Sequence, residues 1–133
     1  MASDTQKGKN YNVILAEDNL DHQKLIKALI AKTNINLDIV NNGRELLEML
    51  ALGNKYDLVL MDIQMPVMDG YTVTEKIRKN PKYKDLLIIG LTAFAMEGDA
   101  NIAISKGMND YITKPIDKED ILNTIGRYLK IKR

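Results

Sequence analysis

Tyr56-Asp57-Leu58-Val59-Leu60-Met61-Asp62-Ile63-Gln64-Met65-Pro66-Val67-Met68-Asp69-Gly70 decides how this chain folds. Leu58 to Met61 form a short unbroken apolar run, which meets a carboxylate at Asp62 and then a proline and an Asp-Gly turn. A run of that length, ended by turn residues, predicts a strand buried on both faces of a parallel sheet. Such a strand delivers its last residue to the carboxyl edge of the sheet, where open α/β proteins bind ligands. An unpaired carboxylate is costly to bury, so Asp62 is not there to fill core volume.

Outward from this run, apolar strands alternate with amphipathic helices. Upstream, Asn12–Ala16 is a first strand followed by Glu17-Asp18-Asn19. Leu20–Lys32 reads as a helix with Leu25, Ile26, Leu29 and Ile30 on one face, and Asn36–Val40 as a second, more exposed strand. Arg44–Leu52 is a helix with Leu46, Leu47 and Leu50 inward, stopped at Gly53. Downstream, a helix is expected from about Gly70 to Lys79, with Val73 and Ile77 inward. Leu87–Leu91 is a fourth strand ending in Thr92. Glu97–Lys106 is a weakly apolar helix whose inward face offers little beyond Ile102 and Ala103. Asp110–Thr113 is a fifth strand, followed by Lys114-Pro115. Lys118 to about Lys130 is a last helix, capped by Asp117, that buries Ile121, Leu122, Ile125 and Leu129. Five strands alternating with five helices imply an α/β doubly wound parallel sheet covered on both faces.

The composition suits one ordinary domain. Of 133 residues, 45% are hydrophobic and 28% charged, enough to bury about two-thirds of the unfolded surface. Nineteen Lys and Arg against 18 Asp and Glu argue against nucleic acid or an anionic membrane as a partner. The absence of cysteine excludes a disulfide framework and thiol catalysis. No apolar run approaches membrane-spanning length, and Met1–Asn10 lacks the apolar segment of a signal peptide. Residues 1–10 are expected to be a disordered tail, native or left over from expression, with one domain over residues 11–131 and a cytoplasmic location.

Four strand ends carry chemistry, and a doubly wound sheet gathers them on one rim: Glu17-Asp18, Asp62, Thr92 and Lys114. Each alone has a plainer reading, as a helix cap, a strand residue or a solvated lysine. Together they fit metal-assisted phosphoryl transfer. A hard divalent cation, Mg²⁺ or Mn²⁺, takes oxygen ligands from Asp18 and Asp62, with Glu17 completing the shell. Asp62 is then the nucleophile that forms an acyl phosphate, while Thr92 and Lys114 contact phosphoryl oxygens.

These pieces resemble a response-regulator receiver domain, the phosphoaccepting module of two-component signalling. The matching segments are Leu15-Ala16-Glu17-Asp18-Asn19, Leu60 to Gly70, Leu91-Thr92-Ala93-Phe94-Ala95-Met96 and Tyr111-Ile112-Thr113-Lys114-Pro115. Their wording is similar to hybrid-kinase receivers and to stand-alone, single-domain regulators. The resemblance implies a flavodoxin-like (βα)5 fold with strand order 2-1-3-4-5. It makes Asp62 the phosphoacceptor, Glu17 and Asp18 the acidic metal pair, and the Gln64 backbone carbonyl a further ligand. Thr92 and Tyr111 become the switch pair, and Gln64 and Phe94 the positions that tune hydrolysis. It implies a cis Lys114–Pro115 bond and an output surface on the fourth helix, fifth strand and fifth helix. The implied phosphodonor is a histidine kinase or histidine phosphotransfer protein, with a downstream protein target, and with self-phosphorylation and self-dephosphorylation as the only catalysis.

Two alternatives remain open in the sequence. An aspartyl-nucleophile phosphatase would need a second acid two residues after Asp62, where Gln64 stands. A non-phosphorylated, receiver-like binding module would not need the full polar set. His22, the single histidine, reads as a solvated residue near the rim. The seven methionines read as core and loop filler, with Met65 and Met68 shielding the site.

Overall fold

The structure, a computed structural model, describes residues 10–93 and 99–130. Five parallel strands form the sheet: β1 Tyr11–Ala16, β2 Ile35–Val40, β3 Leu58–Asp62, β4 Leu87–Thr92 and β5 Asp110–Thr113. Their order is β2-β1-β3-β4-β5, as the resemblance implies. The helices are α1 Leu20–Ile30, α2 Gly43–Ala51, α3 Gly70–Arg78, α4 Asp99–Ser105 and α5 Lys118–Leu129. A 3₁₀ turn at Pro81–Tyr83, which the sequence reading lacks, precedes β4. The expected start of α4 at Glu97 lies outside the described residues.

Side-chain alternation sorts the core into two layers. Val13 and Leu15, Leu58 and Leu60, Ile89 and Leu91, and Ile112 face α1 and α5, where Ile26, Ile30, Ile121 and Ile125 meet them. Ile14, Val59, Met61 and Ile88 face the other layer, with Leu46, Leu50, Val73, Ile77 and Ala103. Every residue of β3 is buried, which is why its sequence is a continuous apolar run. The same alternation carries past the strand ends. Glu17, Asp62 and Lys114 continue the series facing α1 and α5, whereas Thr92 and Tyr111 continue the opposite one.

Four helices begin at a side-chain cap. Asn19, Asn42, Asp69 and Asp117 accept from the backbone N–H three residues on, in His22, Glu45, Thr72 and Asp120. Each such cap stabilises its helix by about 1 kcal/mol. Gly70 has a further reason to be glycine. A Cβ there would stand 2.6 Å from the Asp62 carbonyl oxygen and 2.9 Å from Ile63 Cα, so α3 starts against the end of β3.

Two inward assignments are corrected. Leu25 is 41% exposed and its place in the α1 interface goes to Gln23, whose amide is satisfied by the Glu17 carbonyl and Asn41. Ile102 is 45% exposed, leaving Ala103 as the buried residue of α4. Hydrophobic spacing marks a face within about one residue, and a buried amide with both partners supplied competes with a leucine for it.

Candidate functional site

The rim at the carboxyl ends of β1, β3 and β5 holds a compact charged cluster. Glu17 directly follows β1, and its N–H donates to the Val40 carbonyl at 3.1 Å, so it still belongs to the sheet. Its carboxylate is fully buried. Oε1 accepts from Asn19 N–H at 3.2 Å, and Oε2 lies 3.2 Å from Lys114 Nζ. Its carbonyl accepts from Gln23 Nε2 at 2.6 Å, a brace the sequence reading missed. Asp18, next along, is exposed.

Asp62 closes β3 and is 3% exposed. Oδ1 accepts from Gln64 N–H at 3.1 Å, and Oδ2 lies 3.3 Å from Lys114 Nζ. Burial and the Glu17 charge push its pKa from 3.8 up to about 6, against the pull of the Lys114 ammonium and the Gln64 N–H. Lys114 is drawn in because its N–H donates to the Thr92 carbonyl at 2.7 Å, prolonging the β4–β5 ladder. The Lys114–Pro115 bond is cis.

Carboxylate oxygens of Glu17, Asp18 and Asp62 all lie within 4.8 Å of one another, the one acidic trio of this kind among the described residues. Oxygen donors alone, two of them on buried acids and one open to solvent, suit a hard divalent cation that keeps part of its water shell. Such a cation would also relieve the repulsion that raises the Asp62 pKa.

Thr92, buried at the end of β4, sits one residue beyond Leu91, the register partner of Asp62. With Gln64, Met65, Asp69, Tyr71 and Ile102 it lines an open hollow on the α3–α4 side. Tyr111, half-buried in β5, packs against the core of that same side. Gln64 is exposed, and Met65 is buried in the core, so it supports the loop from below. Phe94 lies outside the described residues. Val67, 79% exposed, turns the loop with φ +72°, while Met68 N–H donates to the Pro66 carbonyl at 2.8 Å. A β-branched residue rarely takes that backbone conformation.

His22 corrects the sequence reading. It is not simply solvated: Nδ1 lies 3.2 Å from Glu17 Oε1 and 3.1 Å from Lys114 Nζ. The signal was present, because Asn19 caps α1 and puts His22 third in the helix, where side chains reach back over the cap.

A doubly wound sheet with an acidic trio and one lysine on its carboxyl rim places this chain among α/β modules whose rim suits a hard divalent cation. Comparison with known proteins makes that class specific. The profile of the response regulator receiver domain matches residues 13–126, so the chain belongs to that family, a module of two-component signalling. It is similar to the sensor histidine kinase CheAY of Helicobacter pylori, 36% identical over 98% of this chain. It also resembles hybrid signal transduction histidine kinase I of Dictyostelium discoideum, 38% identical over 91% of this chain. The chain spans only 17% and 8% of those two kinases. Among solved structures, the receiver domain of the sensor histidine kinase PA1611 from Pseudomonas aeruginosa is 32% identical with a TM-score of 0.82, over 92% of this chain and 99% of that one. That domain was solved with a magnesium ion coordinated in its active site cleft. Chemotaxis protein CheY4 of Vibrio cholerae shares the fold, with a TM-score of 0.82 at 22% identity over 90% of this chain and 99% of that one. Among the described residues, no helix is long and apolar enough to cross a membrane.

Proposed function

We propose that this domain is a phosphoaccepting switch that takes a phosphoryl group onto Asp62 in a Mg²⁺-dependent reaction. The observation that carries the reading is the Asp62 carboxylate, buried, beside a second buried acid, with Lys114 Nζ 3.3 Å away. An Asp62 oxygen attacks phosphorus of a phosphohistidine, the P–N bond breaks as the P–O bond forms, and imidazole leaves. Glu17, Asp18, Asp62 and the Gln64 carbonyl would hold the cation. When bound, the cation neutralises charge on the attacking carboxylate and the phosphoryl oxygens. Lys114 turns its ammonium from a carboxylate to a phosphoryl oxygen, and the Thr92 hydroxyl donates to another. Burial among β1, β3 and β5 limits water at Asp62, while Gln64, which cannot act as a general acid, supports storage of phosphate over turnover of a substrate.

The donor is a histidine kinase or a histidine phosphotransfer protein, a reading supported by the kinases that carry similar domains. Phosphorylation adds charge on the rim and draws Thr92 inward, and Tyr111, on the same side of the sheet, follows. The signal leaves through α4, β5 and α5 to a protein target. No reaction on a separate substrate is assigned to the domain.

Intact-mass measurement with Mg²⁺ and acetyl phosphate tests the proposal. Wild type should gain one phosphoryl group that is lost in alkali, and Asp62→Asn should gain none. Equal labelling of both proteins would refute it.

A further inference from the structure

A lysine ammonium has three N–H donors, and Lys114 Nζ donates to Glu17 Oε2 at 3.2 Å, stands 3.1 Å from His22 Nδ1, and forms an ion pair with Asp62 Oδ2 at 3.3 Å. The lysine side chain is 15% exposed, so solvent offers few substitutes. The helix start fixes the His22 backbone, whose N–H donates to the Asn19 cap at 3.0 Å. His22 Nδ1 also stands 3.2 Å from Glu17 Oε1. A ring nitrogen serves one partner at a time: it accepts from Lys114 through its lone pair, or donates to Glu17 when it carries hydrogen.

Taken with the phosphoacceptor reading, on which this inference rests, these contacts give His22 a task. Both carboxylates that hold Lys114 are the groups claimed by a cation and a phosphoryl group during the reaction. His22 is the partner of Lys114 that neither the cation nor the phosphoryl group claims. We propose that His22 is a positioning residue for Lys114: its Nδ1 anchors the ammonium while one N–H passes from a carboxylate to a phosphoryl oxygen. Without that anchor, a side chain with four rotatable methylenes regains its freedom and reaches the phosphoryl oxygen in fewer of its conformations.

The test compares phosphorylation rates with acetyl phosphate at saturating Mg²⁺. His22→Leu removes the acceptor and should slow labelling about 3- to 10-fold, the worth of one hydrogen bond. His22→Asn should restore most of the rate, because its Oδ1 stands as many bonds from Cα as Nδ1 does. In a Lys114→Met background, His22→Leu should have no further effect, as a residue acting through Lys114 requires. The chain's one histidine also permits a direct reading: the imidazole ¹⁵Nδ1 resonance should move on Lys114→Met. A labelled wild type with an indifferent His22→Leu, an equal loss in the Lys114→Met background, or an unmoved resonance would overturn the inference alone. Absence of labelling in wild type would refute the phosphoacceptor reading, and the inference would fall with it.

Discussion

Replacing Asp62 by asparagine should make the metal-free protein more stable at neutral pH. The carboxylate is 3% exposed and its pKa stands at about 6 against 3.8, because burial and Glu17 disfavour the charge more than Lys114 and the Gln64 N–H favour it. A pKa raised in the folded state contributes stability below the unfolded value and loses it as pH rises through the folded value. A shift of about 2 units at 1.36 kcal/mol each means that ionised Asp62 costs about 3 kcal/mol by pH 7.5. Asparagine is close in shape and can still accept from Gln64 N–H, but it never ionises. The variant should therefore exceed wild type by about 3 kcal/mol at pH 7.5 and by only about 1 kcal/mol at pH 4.5. For a domain of this size the neutral-pH difference amounts to about 10 °C in Tm. Urea unfolding in chelator at the two pH values, followed by circular dichroism, measures it. A variant less stable than wild type at pH 7.5, or a difference that does not change with pH, would refute the reasoning.

Three further outcomes follow from other parts of the site. Mg²⁺ at ten times its dissociation constant should raise wild-type stability by about 1.4 kcal/mol in thermal unfolding, and Asp18→Asn should shift that response to higher Mg²⁺ concentration. Val67→Gly should stabilise the fold by about 1 kcal/mol, since the strain at φ +72° outweighs glycine's added chain entropy and the exposed valine buries little; an unchanged or lower Tm would contradict this. Gly70→Ala should destabilise by about 1–3 kcal/mol, because its Cβ meets the backbone of Asp62 and Ile63, and the same variant should label more slowly with acetyl phosphate.

The sheet and most of the rim were legible because two simple periodicities govern them. Continuous apolar runs announce buried parallel strands, and alternation along those strands sends Glu17, Asp62 and Lys114 to one side of the sheet and Thr92 to the other. Where the reading failed, a polar group had found partners distant in sequence. Gln23 displaces Leu25 from the α1 interface because the Glu17 carbonyl and Asn41 satisfy its amide. His22 joins the cluster through Lys114, 92 residues away. The Asn19 cap marks where His22 can reach Glu17, but local pattern carries no record of the pairings with Asn41 and Lys114. Val67 is hidden for a different reason: its backbone is held by the turn between Pro66 and Met68 and by the start of α3, against the residue's own preference.

The central claim is that Asp62 itself carries the phosphoryl group, and locating the label tests it most directly. Wild-type protein is phosphorylated with acetyl phosphate and Mg²⁺, reduced with borohydride to convert an aspartyl phosphate to homoserine, and mapped by peptide mass spectrometry. Homoserine is expected at position 62 and nowhere else. Label retained at Asp18, Glu17 or His22, with Asp62 unmodified, would contradict it.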